Sequence, residues 1–228
     1  MKCNILRNNV TVNYIIDGKP QMIIPQNKVF LPLMGEILFL KDLDLLKNRS
    51  VSVLNIGLGA GYTTQEILKC KNVLELDVIE IFQEVIDKLN EFDTYESIIS
   101  DSRCNIICSD AYEYVKNSEK KYDVIIMDIC QPDFEYCGKL FTDEFIELIS
   151  NILNDDGMFL TWYYRHNKNE NYLKISKSYY NSLKKVFMNV DYAELVESLN
   201  KDTYFFASNK YQVKNNKSLV SEILVKNG

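Results

Sequence analysis

The stretch Val53-Leu-Asn-Ile-Gly57-Leu-Gly59-Ala-Gly61-Tyr-Thr-Thr-Gln-Glu-Ile-Leu68 decides how the rest of the chain is read. It opens as an apolar run, passes three glycines at alternate positions, and leaves with the spacing of an amphipathic helix. A bare loop between a buried strand and a helix lets a ligand lie against main chain, because glycine carries no Cβ. Taken alone, Gly-x-Gly also fits a merely tight connection. Outward from the loop the same rhythm repeats. Short apolar runs at 51–56, 73–79, 104–108, 122–128 and 158–163 alternate with helically spaced segments at 62–70, 82–92, 110–117 and 140–153. Strands apolar on both faces, separated by helices, predict a parallel sheet covered on both sides.

The flanks differ. Residues 10–24 alternate, turn at Asp17-Gly18 and alternate again, which predicts a β-hairpin. Phe30 to Lys47 reads as a helix with Pro32 in its first turn. Asp156-Gly157 is expected to end the helix before the fifth apolar strand, and a long helix is expected over 169–186. Strands at 188–193 and 202–208, with a turn around Asn200-Lys201-Asp202, are expected to pair antiparallel at one edge. The fold expected is α/β: a doubly wound, Rossmann-like sheet with an antiparallel edge hairpin. A small N-terminal β-hairpin module (residues 1–28) precedes the sheet domain (29–228).

With 228 residues the chain has length for one domain and a small appendage. A formal charge of −6 argues against a general nucleic-acid binder, since no basic excess neutralises phosphates. No apolar run reaches the roughly 18 residues that span a bilayer. MKCNILRNNV lacks the long apolar core of a signal peptide. The six cysteines read as reduced thiols, so the chain reads as cytoplasmic. Cys104 and Cys108, four apart on one strand, stand about 13 Å apart, too far to share a metal. Cys130 and Cys137 flank a loop, as a redox pair or as incidental thiols. His166, the one histidine, lies in a polar stretch and gives little support to Ser-His or Cys-His chemistry.

In an open parallel sheet, ligands bind beyond the carboxyl ends of the strands. Gly57, Gly59 and Gly61 sit at one such end. Glu80 closes the next strand, where a carboxylate can accept both hydroxyls of a ribose. Asp110 and Ala111 follow the third, where an acid and an adjacent amide can meet an adenine edge; Asp128 ends the fourth. Singly, Glu80 and Asp110 also fit helix N-caps, and Asp128 a strand-end acid. Tyr62 stands where a dinucleotide loop would carry another glycine, no Gly-Lys-Ser/Thr follows, and no basic residue lies near. An acid-lined crevice without cations suits a sulfonium nucleoside: S-adenosylmethionine or its decarboxylated form.

At the level of whole motifs, the chain resembles the spermidine synthase family of aminopropyltransferases within the class I S-adenosylmethionine-dependent transferases. IIDGKPQ (15–21) is similar to the family's N-terminal hairpin, VLNIGLGAGYT to its glycine loop, and VIEIFQEVID to its ribose-binding strand end. CSDAYEYV is similar to its adenine-binding segment, and YDVIIMDICQPD followed by KLFTDEFIELISNILNDDGMFL to its catalytic strand, loop and helix. The resemblance implies a methyltransferase-like sheet, a small amine acceptor, Gln21 among the acceptor-binding residues, and a homodimer.

The departures fall on the polyamine half of the site. Ala60 occupies the position of an acid that grips the aminopropyl amine, and Gln131 that of a second loop acid. Phe30 and Leu31 replace a Tyr and a polar partner. Methyl transfer is therefore favoured over aminopropyl transfer, with a divergent aminopropyltransferase and a non-catalytic nucleoside-binding module as alternatives. Asp128 is expected to accept a proton from, or orient, the attacking amine. Gln131, Asp133 and Tyr136 are placed on the loop over the acceptor. Trp162, with Tyr163 and Tyr164, either walls the acceptor pocket or packs as half-buried core.

Overall fold

The chain was described from a computed structural model. It covers residues 3–7, 11–16, 19–25, 49–129, 136–163, 171–195 and 202–211, with side chains over 49–129, 136–163, 176–192 and 203–211. The elements in order are β1 (Cys3–Arg7), β2 (Thr11–Ile16), β3 (Lys19–Pro25), β4 (Val51–Ile56), α1 (Tyr62–Leu68), β5 (Val73–Glu80), α2 (Gln83–Asp87) and α3 (Tyr95–Ile99). There follow β6 (Cys104–Cys108), α4 (Ala111–Asn117), β7 (Tyr122–Met127), α5 (Asp143–Ile152), β8 (Leu153–Tyr163), α6 (Asn171–Val186), β9 (Asn189–Leu195) and β10 (Asp202–Ser208).

The hairpin expected at 10–24 is β2 and β3, and β1, which the sequence reading did not anticipate, pairs with β2 to make a three-stranded antiparallel sheet. The boundary expected at 28–29, the helix expected from Phe30 to Lys47, and residues 200–201 of the expected turn lie outside the described residues.

A second sheet has seven strands in the order β6-β5-β4-β7-β8-β10-β9. Its first five are parallel, and β10 and β9 complete it antiparallel at the edge, as the pattern predicted. Alternate residues of one central strand show why both faces are covered. Leu54 and Ile56 of β4 join a cluster with Val115, Phe145, Ile149 and Leu183 from α4, α5 and α6. Val51 and Val53 join another with Ile67, Leu89 and Ile98. Each fully buried aliphatic side chain in these layers contributes about 1.5–3 kcal/mol.

Two sequence expectations are corrected. Segment 82–92 is broken: α2 ends at Asp87, a 3-10 turn covers Leu89–Glu91, and α3 follows. The break lets Thr94 turn back and donate its hydroxyl to the Ala60 carbonyl at 2.6 Å, a tertiary bond that outcompetes helix continuation. Asp156-Gly157 does not end a helix. The helix α5 stops at Ile152 and β8 starts at once, with Asp156 and Gly157 inside it. The register of β8 on β7 jumps from Tyr122–Leu153 to Val124–Met158, a bulge that absorbs the extra residues. Gly157 sits there because a Cβ would lie 2.7 Å from Leu153 Cγ.

Candidate functional site

The sheet is stitched to its very tips. Gly57 N–H donates to the Ile79 carbonyl at 2.8 Å, Ser109 N–H to the Glu80 carbonyl at 2.9 Å, and Asp128 N–H to the Ile56 carbonyl at 2.8 Å. Gly57, Glu80, Ser109 and Asp128 therefore stand in one row along the carboxyl-terminal edge of four adjacent parallel strands, and Asp110 and Ala111 follow directly. Gly57, Gly59, Gly61, Glu80, Asp110, Ala111 and Asp128 are thus brought to one rim of the sheet, as the sequence argument required.

The loop's glycines all have positive φ, 102° at Gly57, 54° at Gly59 and 79° at Gly61. At Gly57 conformation and space agree: a Cβ would sit 2.0 Å from the Asp128 carbonyl oxygen. That missing atom is what lets the tips of β4 and β7 close on each other. A Cβ at Gly61 would strike Ile98 Cδ1 at 2.5 Å, so the start of α1 is held equally closely against α3.

Glu80 is 8% exposed. Its carboxylate turns under the loop and accepts from the amides of Leu58 at 3.2 Å, Gly59 at 3.5 Å and Phe82 at 3.0 Å. Burial pushes its proton affinity up, and the amides pull the other way. The acid expected to hold a ribose is thus also the post on which the glycine loop is bent. Asn55, fully buried in β4, adds a brace by donating to the Gly57 carbonyl at 3.0 Å and the Thr64 hydroxyl at 3.2 Å.

Asp110 serves as N-cap of α4, accepting from Tyr112 N–H at 2.9 Å, and its other oxygen pairs with Lys139. The capping role admitted for it in the sequence is present, beside whatever it offers a ligand. Asp128 is partly buried. Burial raises its carboxyl to about 7, Thr63 works against that, and the neighbouring Glu80 charge adds to it. Thr63 Oγ1 donates to Asp128 Oδ2 at 2.8 Å.

Ala60 is buried with Phe82 and Val85, and Tyr62, Ile81, Phe92 and Tyr136 pack round them. Tyr136 meets Phe82 edge to face at 5.3 Å, which brings the loop after β7 onto the segment after Glu80. Burial, then Asp93, pushes the Tyr62 phenol up to about 12, so at neutral pH it is a hydrogen-bond donor to that acid. Trp162 packs against the cluster that holds Leu58, Leu160 and Tyr204, in keeping with the half-buried-core reading. Tyr163 is buried in the opposite layer against Phe141 and Tyr179. Gln21 lies in β3, its side chain outside the described residues, as are Gln131, Asp133, Tyr164, His166 and Cys130. Cys70, Cys104, Cys108 and Cys137 form no disulfide among the described residues. No group of three or more metal-binding side chains occurs among the described residues, and no described helix is long and apolar enough to cross a membrane.

Thr63, Asn55, Thr94 and Lys139 escaped the sequence reading. The three neutral residues were concealed as ordinary members of a strand, a helix and a loop, and Lys139 as a surface lysine.

Comparison with known proteins supplies the remaining findings. Residues 43–218 match the spermine/spermidine synthase domain. A polyamine aminopropyltransferase of Saccharolobus solfataricus is 31% identical over 176 residues, which are 76% of this chain and 56% of that protein. The chain therefore spans about half the length of the curated relatives it matches. Among solved structures, a spermidine synthase in complex with the transition-state analogue AdoDATO superposes with a TM-score of 0.71 at 23% identity, over 90% of this chain and 73% of that one. The spermidine synthase of Thermotoga maritima gives 0.69 at 24% identity, over 91% and 68%.

Proposed function

The chain belongs to the spermine/spermidine synthase domain family, and we propose that it transfers an aminopropyl group from decarboxylated S-adenosylmethionine to a small amine. The sequence reading favoured methyl transfer; the family match and the aminopropyltransferase relatives favour its alternative. One observation carries the reading: Asp128, a raised carboxyl bonded to Thr63, stands at the strand tip beside a glycine loop bent round Glu80.

The residues present fit such a donor. The loop exposes main chain at three positive-φ glycines, and two carboxylates with no described cationic partner suit a positive ligand. Glu80 would hold the ribose, the Asp110-Ala111 turn the adenine, and Gly57, Gly59 and Gly61 would let the sulfonium nucleoside lie against main chain. When bound, the donor would supply a carbon activated by its sulfonium, the carbon–sulfur electron pair leaving on sulfur as the acceptor nitrogen bonds to that carbon, and Asp128 would take the proton that the nitrogen gives up. A carboxyl near 7 is half ionised at neutral pH, which suits an acceptor of protons. Tyr136, Gln131 and Asp133 remain proposed acceptor contacts, with Gln21 and Trp162 at the margins.

Ala60 resists this reading, because an alanine packed with Phe82 and Val85 carries no carboxylate of its own for an aminopropyl ammonium. The deciding experiment is calorimetry with S-adenosylmethionine and its decarboxylated form, followed by product analysis with a series of linear diamines. Tighter binding of the decarboxylated donor by tenfold or more, with methylthioadenosine released, is expected. Preference for the carboxylated donor with release of adenosylhomocysteine would return the chain to methyl transfer.

A further inference from the structure

We propose that Thr63 is a positioning residue for proton transfer, its hydroxyl fixing one oxygen of the Asp128 carboxylate and favouring the ionised, proton-accepting form. The inference rests on the reading above in taking Asp128 as the acceptor of the amine's proton.

Thr63 is 2% exposed and lies in the first turn of α1. A threonine there ordinarily bonds back to its own helix or caps it. This one reaches across 65 positions of sequence to Oδ2 of Asp128 at 2.8 Å. The approach depends on the loop before it: Gly57 lets the end of β7 press against the loop, and Gly61 lets α1 begin close beneath. The glycine loop thus does two things with one bend. It opens main chain toward a ligand and delivers a hydroxyl to the acid.

The surroundings make that hydroxyl matter. From β5, Glu80 faces Asp128 as a second carboxylate; β4 contributes only the main chain of Ile56 and Gly57; α1 contributes Thr63. Among the described residues no lysine or arginine pairs with Asp128, and Thr63 is the described side chain that bonds to it. Burial and Glu80 both favour the protonated acid, and a protonated acid cannot take the amine's proton. A donated hydrogen bond favours the ionised form by an amount equivalent to roughly one pH unit.

The test needs no substrate. In the ligand-free chain labelled with 13C at the aspartate carboxyls, Asp128→Asn identifies the Asp128 resonance. Thr63→Val, nearly the same shape without the donor, is expected to raise that group's titration midpoint by about one pH unit, and Thr63→Ser to restore it to within about 0.3 units. Thr63→Ala serves in place of valine if that variant does not fold. A midpoint unmoved in the folded valine or alanine variant, or unrestored by serine, overturns the proposal. With a turnover assay, the acid limb of kcat/KM is expected to move by the same amount in Thr63→Val while the alkaline plateau holds within about threefold. A uniform loss at every pH with no movement of the limb also overturns it. If the wild-type chain turns over no amine yet the midpoint moves as described, the transfer reading falls and the Thr63–Asp128 coupling stands.

Discussion

At the amino-terminal side of the seven-stranded sheet, Arg49 bonds both Asp123 and Asp156 and Asp101 holds Arg103, and midway along β5 Asp77 is gripped by Lys120, Tyr122 and Asn105. At the carboxyl-terminal tips, Glu80 and Asp128 have no ion pair among the described residues and are met by amides and a hydroxyl. The consequences run in opposite directions. For Asp77 and Asp156 burial works upward, but the bonds from Lys120, Tyr122 and Asn105, and from Arg49, outweigh it and hold both below the usual carboxylate range. For Glu80 and Asp128 burial wins and both are raised. The same side-chain chemistry is used as a tie in the body and amino-terminal side of the sheet and is left without a described cation at Glu80 and Asp128.

Removing the available acid should separate function from folding most sharply. Asp128→Asn is expected to lower turnover about 10²–10⁴-fold with donor affinity changed little. Because folding raises this carboxyl from about 4 to about 7, the folded state binds the proton more tightly and wild-type stability falls as pH climbs between those values. The amide escapes that fall, so melting curves should show the variant gaining a few degrees on wild type between pH 5 and pH 8. A variant that melts lower at pH 8 would show Asp128 to be a tie like those at the other end.

Asp77→Ala is the converse. It strands Lys120, Tyr122 and Asn105, and denaturant unfolding should register a loss of about 2–3 kcal/mol, with donor affinity per folded molecule unchanged. Asp77 is held low, so its contribution is present above about pH 4 and fades as pH falls further; the wild-type and variant curves should converge in acid.

The smallest effect is expected at Lys139→Ala, where a half-exposed pair with Asp110 contributes about 0–1 kcal/mol. A melting shift of at most a couple of degrees and an unchanged donor affinity would leave Asp110 chiefly a helix cap. A tenfold loss of affinity would instead move Lys139 into the site.

Much of this architecture is legible in the chain. The runs at 51–56 and 104–108 correspond to strands with the same bounds, because a strand covered by helices is mostly apolar along its length, a local property; β4 is buried everywhere but at Ser52, whereas β6, at the sheet edge, is only part-buried. The glycines were legible for a similar reason, since left-handed backbone selects its residue locally. Reading failed where a distant partner overrides local preference. Asp156-Gly157 looks like a helix stop, yet a bulge against β7 and the bond to Arg49 keep it in a strand. Segment 82–92 has helical spacing, yet the reach of Thr94 to Ala60 interrupts it.

The chain's order of residues was enough to set an acid at the end of each of the strands β5 and β7, a glycine turn between β4 and α1, and helices to cover both faces. It could not say that Glu80 would bend beneath that turn, that Asp110 would share itself with Lys139, or that Thr63 would hold Asp128. Burial patterns accumulate from neighbours along the chain, whereas a carboxyl's affinity for its proton depends on the few atoms packed around it. For Asp128 the described ones are brought from Thr63 and Glu80, segments that meet it only when the sheet is assembled.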